Sequence, residues 1–378
     1  MTLNRHDIGS LKSAFDFRPF VFCVILSSVV AASAVASSPG SRWDALMSWN
    51  AMALPFASYS PETDWQFGAT GVWFFKTDTS MASYSDLIFD GAYSLRRQWY
   101  VNAASRIYLP MPRRAYIDAK VRFQYYPDRY WGRGNEAQHL LESPPQYTSQ
   151  LADIYSSAQF EIDNAWYLGA ALHWRRESIS GADALPVSVE AGTTSVLSLG
   201  AIAMYDSRST TYYPDHGVFG KLALDLCQPL LGFDSYTPFV KIDFDLRHFM
   251  PLGGGVVFAS NLKMTSVLGD NVPFRMLPSL GGQDIIRGYR ARMFSDNTLV
   301  ALQGELRVPI WRFFKAAAFV SIGDVYDYRH WHVATPKVGY GVGLRANIHK
   351  ANTNIRFDVA RQNFDRSWVF YFTVKEAF

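Results

Sequence analysis

The chain has 378 residues, enough for one large barrel or two soluble domains. Aromatic residues make up 16% of it and charged residues 18%, with a formal net charge of +3; this excludes a charge-driven nucleic-acid binder and suits a surface that partly faces lipid. Its two cysteines, Cys23 and Cys227, fall on either side of an expected cleavage point, which leaves the mature chain one thiol and excludes an internal disulfide, a cysteine zinc site and a redox pair.

Residues 1–36 read as an export signal. Arg5, Lys12 and Arg18 precede an apolar run from Pro19 to Val30, and Ala34 and Ala36 supply the small-x-small pattern of a cleavage site. The run is shorter than the ~20 residues a spanning helix needs, so a mature start near Ser37 is expected. Residues 37–51 are expected to form a short periplasmic segment, in which 44–50 could make an amphipathic helix at the barrel rim. No later stretch offers the ~18 apolar residues of a membrane helix, and the other way to satisfy backbone polar groups in lipid is a closed barrel.

From residue 52 onward the pattern is alternation. In 239–248, Lys241, Asp243, Asp245 and Arg247 share one face and Val240, Ile242, Phe244 and Leu246 the other. Similar runs occupy 66–77, 84–95, 97–109, 115–127, 150–163, 166–177, 196–206, 217–229, 254–267, 297–309, 313–323, 337–348, 352–361 and 368–378, with a weaker one at 52–60 whose Pro55 suits an edge strand. The reading is an all-β, transmembrane antiparallel barrel over 52–378 of about sixteen strands. With periplasmic termini, the long stretches near 128–149, 178–195 and 268–296 are extracellular. The connections near Arg96 and Arg97, 110–114, 251–254 and Lys350 are short, and long loops outside with short turns inside is the expected asymmetry. In the last strand Trp368, Phe370, Phe372, Val374 and Phe378 share one parity, and Glu376 falls on it too, where charge is tolerable only near the interface.

Residues 273–290 carry a double glycine, Gly281 and Gly282, followed by Ile286, Arg287, Gly288 and Tyr289, with five strands left to the C-terminus. This segment closely resembles the sixth-loop signature of the BamA/TamA-like superfamily of outer-membrane assembly barrels, also called bacterial surface antigen domains. The resemblance extends to Asp206, Arg208, Pro214 and Gly217, which match a periplasmic-turn segment, and to 319–327, 340–345 and 356–360, which fit the strands that receive the loop and close the barrel. It covers 200–378 well and 55–77 and 125–135 more loosely. It implies that the loop folds into the lumen and that Arg287 docks on acidic residues of the next strands. Glu305 occupies one such position; the second is Ser321 here, so that either Glu305 holds the loop alone or Asp324 or Asp327 substitutes. Arginine suits this role because its planar fork pairs with a carboxylate and a ring together, and Gly288 allows close backbone approach. The terminal aromatics Phe370, Phe372 and Phe378 resemble the signal by which outer-membrane proteins are recognised for assembly.

The resemblance implies an outer-membrane protein that helps insert or fold other outer-membrane proteins, or moves lipid, through a weak seam between first and last strands. Its partners would be the lipid bilayer with its lipopolysaccharide, unfolded outer-membrane clients and the machinery that assembles the barrel itself. Relatives that assemble or secrete proteins usually carry periplasmic repeat (POTRA) domains, and 37–51 is too short for one, which points to a barrel-only branch. The alternatives are a passive pore and a surface structural protein acting through its loops. No enzymatic elbow, cofactor or metal site is expected: His330 and His332 form the close histidine pair, in a loop, and Tyr130 to Glu136 is a loop with a stacking-capable rim to which no ligand is assigned.

Overall fold

Period-two alternation carries through to the backbone, which follows it into strands. The structure, a computed structural model, describes residues 51–378 apart from 61–62, 78–83, 110–113, 137–143, 182–191, 231–236, 331–335, 348–353, 365–367 and 375. The expected leader 1–36 lies outside the described residues, as does the segment 37–51 except for Ala51.

The first strands are β1 (Ala51–Ser60), β2 (Asp64–Phe75), β3 (Ser85–Ser94), β4 (Trp99–Leu109), β5 (Ala115–Arg129) and β6 (Gln146–Asp163). They are followed by β7 (Trp166–Ser180), β8 (Gly192–Asp206), β9 (Gly217–Pro229), β10 (Phe239–Gly253) and β11 (Val256–Leu268). The short β12 (Ser279–Leu280) and β13 (Phe294–Ser295) pair with each other inside the long loop. The chain ends with β14 (Thr298–Trp311), β15 (Phe314–Tyr326), β16 (Lys337–Asn347), β17 (Asn354–Gln362) and β18 (Trp368–Val374). All but β12 and β13 join one 16-stranded sheet in chain order, each strand antiparallel to the next. Cα atoms of its two edges, β1 and β18, come within 8 Å of each other, so the sheet curls round a lumen.

Register fixes what each face meets. On β10 Leu246 and Met250 are exposed outward at 37% and 41%, while Asp245 and Phe249 turn inward at 7% and 1%. On β9 Leu222, Leu224 and Leu226 are exposed. Aromatics ring the outer face at two levels: Trp65, Phe67, Tyr93 and Trp368 near the long-loop end, and Trp73, Trp166, Trp311 and Phe314 near the other. That is the paired girdle of a membrane barrel, which places each amphipathic ring at an interface.

The turns at Asn164 and Ala165, at Gly254 and Gly255 and at Arg312 are tight and use left-handed backbone, and they share the end that carries the C-terminus. The short turn at Arg96 and Arg97 does not. Because β3 runs parallel in space to β5, this turn lies at the long-loop end, a correction to the expected grouping of short turns inside.

Candidate functional site

The loop between β11 and β14, residues 269–297, descends into the lumen. Its apolar residues Leu280, Ile286, Tyr289, Met293 and Phe294 pack with Leu299, Ala301 and Val325 of the wall. At the tip Gly288 has φ +104°, a region that disfavours side chains, and a Cβ there would stand 2.9 Å from the Arg361 carbonyl carbon. The wall is correspondingly bare. Gly339, Gly341 and Gly343 occupy one face of β16, where a Cβ at Gly339 would strike the Arg287 carbonyl oxygen and one at Gly343 the Asp358 carboxylate.

Arg287 is wholly buried in this slot. Its Nη2 lies 2.8 Å from Glu305 Oε2, its Nη1 2.7 Å from Asp358 Oδ2, and its guanidinium 3.5 Å from the centroid of the Phe319 ring. Around it the charges interlock. Arg307 Nε is 2.9 Å from Glu305 Oε1, and Arg345 reaches Glu305 at 3.2 Å, Asp358 at 2.5 Å and Glu376 at 2.7 Å. Arg356 lies 3.5 Å from Asp358 and 3.5 Å from the exposed Asp284. Four buried guanidiniums thus share the three buried carboxylates of Glu305, Asp358 and Glu376. Removing one partner from a buried pair costs ~3–5 kcal/mol, because the other is left uncompensated.

The tip also meets the last strands through neutral bonds. Gly288 N–H donates to Tyr371 Oη at 3.0 Å, and Tyr289 Oη donates to Asn363 Oδ1 at 2.5 Å. The tetrad from Ile286 to Tyr289 therefore touches the wall from β14 to β18.

The base of the loop is pinned separately. Arg275 Nε lies 2.8 Å from Glu177 Oε1, and its Nη1 donates to Asp128 Oδ2 at 3.0 Å and to Tyr147 Oη at 2.8 Å, on β5, β6 and β7. Nearby, Arg292 donates to the Phe274 carbonyl at 3.1 Å; burial, with the Arg275 guanidinium close by, pushes its pKa down to about 10. The loop after β5 joins in: Gly134 N–H donates to the Ser295 carbonyl at 2.9 Å, and Arg133 pairs with Asp296 at 2.8 Å.

At the opposite end the turn 207–216 folds inward. Arg208 pairs with Asp206 at 2.7 Å and lies over the Phe219 ring, and Pro214 is buried. Gly217, at φ +104°, passes so close to Arg208 that a Cβ would stand 2.8 Å from its Cα. Tyr212 packs with Val72 and Phe74 and donates to Asp86, while Tyr213 lies beneath Arg307 and the Lys315 ammonium. The turn thus contacts β2 and β3 as well as β14 and β15, and so crosses the lumen. Arg307 is ringed by Tyr213, Phe249 and Phe378 at 5.0, 5.5 and 5.6 Å.

Several expected positions fall elsewhere. Ser321 makes no ionic contact; its hydroxyl donates to the Gly339 carbonyl at 3.2 Å. Asp324 pairs with Lys337 at 2.8 Å instead. Asp327 lies past the end of β15, where the Arg329 backbone N–H donates to it at 3.0 Å and holds it below the usual carboxylate range. The second carboxylate is instead Asp358 on β17. Its signal was that Arg356 and Asp358 share one parity of β17, opposite Ile355, Phe357 and Val359. Arg275 had no comparable signal, because its partners lie far away in sequence.

The C-terminus also departs from simple parity. Trp368 and Phe370 face outward, and the Phe372 side chain lies outside the described residues. The strand ends at Val374, so parity counted beyond it fails: Glu376 turns inward to Arg345 and Asn354, and Phe378 is buried against Phe249, Val257 and Ala259. Arg307 Nη2 donates to the Phe378 carbonyl at 3.3 Å. His332 lies outside the described residues, and among the described residues no cluster of three or more His, Cys, Asp or Glu could hold a metal.

The Omp85 superfamily domain matches residues 112–378. Among solved structures, BamA from Haemophilus ducreyi lacking POTRA domains 1–3 shares the fold at 13% identity and TM-score 0.54, over 86% of this chain and 69% of that one. CdiB from Acinetobacter baumannii does so at 11% and 0.56, over 86% and 59%, and CdiB from Escherichia coli at 13% and 0.60, over 90% and 63%. At these identities the likeness is one of fold, and the chain spans less than two thirds of either CdiB. No curated protein matches the sequence.

Proposed function

Because this chain belongs to the Omp85 superfamily, and so is a bacterial outer-membrane β-barrel, we propose that it inserts or folds other outer-membrane proteins, or moves lipid, through the junction of β1 and β18. One observation carries this reading. Every consecutive pair of strands in the sheet is joined by a paired register, interrupted only by bulges near Pro251, Pro309 and Glu161, whereas β1 and β18 lie side by side with no paired register among the described residues. β18 is only seven residues long, and the chain then leaves the sheet for the lumen. Pro55, within β1, has no N–H to offer a neighbour. An edge so poorly paired exposes backbone donors and acceptors that an incoming strand can template on, and it perturbs the adjoining bilayer.

The passive-pore alternative is disfavoured by the lumen, which the loop tip fills from one end and Tyr212, Tyr213 and Phe378 from the other. The proposal includes export by a cleaved leader, residues 1–36, and assembly through the terminal aromatics Phe370, Phe372 and Phe378.

The test is the folding of an unfolded outer-membrane client into liposomes that also carry a labelled phospholipid. The protein is added as wild type, as Arg287→Ala, and with cysteine pairs bridging β1 and β18 in a Cys227→Ser background. Faster folding or lipid exchange with wild type, lost on bridging and regained on reduction, supports the seam. Full activity in the bridged protein would sink it.

A further inference from the structure

At the rim carrying the long loops lies a cavity of about 260 Å³ that the locked loop does not fill. It forms where the turn between β3 and β4 meets the end of β5 and the segment after it, and Arg96, Asp128, Arg129, Trp131, Gln146 and Arg290 line it. Leu95 N–H donates to the Trp65 carbonyl at 2.8 Å, so the turn is fastened beside the outer aromatic girdle. The cavity thus lies at the long-loop rim, close to the outer aromatic girdle.

Its charge is unbalanced. The Asp128 carboxylate is already engaged, by Arg275 at 3.0 Å and Tyr147 at 3.2 Å. Among the described residues Arg96 and Arg129 have no acidic partner, and the Arg290 guanidinium stands 5.8 Å from the Trp131 ring centroid. Cations converging on a half-enclosed space, with low-dielectric walls, raise the local concentration of anions. Guanidinium forks match the oxygens of a phosphate in a way a lysine cannot. Beside them an indole face offers a platform for a sugar ring, and the Gln146 amide offers both donor and acceptor to hydroxyls.

We propose that this cavity binds a phosphorylated saccharide, with Arg96 and Arg129 on the phosphate and Trp131 against the ring. Two sources carry that chemistry: the head group of an outer-leaflet glycolipid, and a free sugar phosphate. The site stands apart from the seam, since none of its lining residues belongs to β1 or β18.

The experiment is isothermal titration of the purified full chain in micelles with three probes: a bis-phosphorylated lipopolysaccharide, the same glycolipid after phosphatase treatment, and glucose 6-phosphate. The phosphorylated glycolipid should bind at least ~10-fold more tightly than its dephosphorylated form, with affinity falling as salt rises. Arg96→Gln with Arg129→Gln should erase that difference while heat-modifiable gel mobility stays unchanged, and Trp131→Ala should weaken both glycolipids while keeping the preference for phosphate. Comparable binding of glucose 6-phosphate assigns the site to a soluble ligand; its failure beside a bound glycolipid assigns the site to lipid. No binding to wild type, equal binding of the two glycolipids, or an undiminished preference in a folded double variant overturns the proposal.

Discussion

The Gly288 backbone N–H donates to Tyr371 Oη at 3.0 Å, so the tip of the long loop is bonded to the last strand of the sheet. Arg345 makes a second connection, since the same guanidinium pairs with Glu305 and Asp358 at the loop lock and with Glu376 beyond β18. The lock and the seam are therefore parts of one bonded structure, and loosening one should loosen the other.

Tyr371→Phe tests that linkage. It keeps the ring and removes the acceptor, leaving a buried N–H unpaired at a cost of about 1–3 kcal/mol. Backbone amides of β18 should then exchange with deuterium about 5- to 150-fold faster, while those of β14 hold steady. Unchanged exchange in β18 would mean that the tip does not restrain the last strand.

Charge within the lock predicts an asymmetry. Four buried arginines face three buried carboxylates, with Asp284 largely in solvent. Removing Arg287 brings the cluster toward balance, whereas neutralising Glu305 leaves Arg287, Arg307 and Arg345 with a single lost partner among them. Glu305→Gln should cost ~3–5 kcal/mol and Arg287→Gln less. The unfolding midpoint by gel mobility orders the two, and a lower midpoint for Arg287→Gln would show that the loop contact outweighs the charge balance.

Asp358 and Ser321 offer a third test. Ser321 stands two residues along β15 from Phe319, on the face where Arg287 stacks, and pairs across to Gly339 beneath the Arg287 carbonyl. Asp358→Asn should free the loop, read as protease cleavage within 283–290 in intact outer membranes. Adding Ser321→Asp should restore resistance. If the double variant is cut as fast as the single, the two positions are not equivalent anchors for Arg287.

These anchors also mark how far the sequence could be read. Alternation such as that of Lys241, Asp243, Asp245 and Arg247 is local, so strand positions and the sixteen-strand sheet followed from it. The tip tetrad was legible because it is contiguous. Asp358 and Arg275 were not, because a wall partner is chosen by lumen geometry: Arg275 meets residues of β5, β6 and β7 only after the sheet has curled. Glu376 and Phe378 misled for a related reason. Parity says which face a residue takes only while the strand lasts, and β18 ends at Val374, where buried arginines draw the remaining chain inward.

The last prediction follows from the lumen being closed twice. The loop tip occupies one end, and Tyr212, Tyr213 and Phe378 occupy the other, with Arg307 between them, paired with Glu305 and lying among the rings of Tyr213 and Phe378. Where each of two obstructions in series suffices to block conduction, removing either alone changes little. In planar bilayers, Arg287→Ala and the pair Tyr212→Ala with Tyr213→Ala should each leave conductance small, and the three together should give large, long-lived steps. A wide steady channel from either set alone would show that one end closes the lumen, and would return the passive-pore reading to the front.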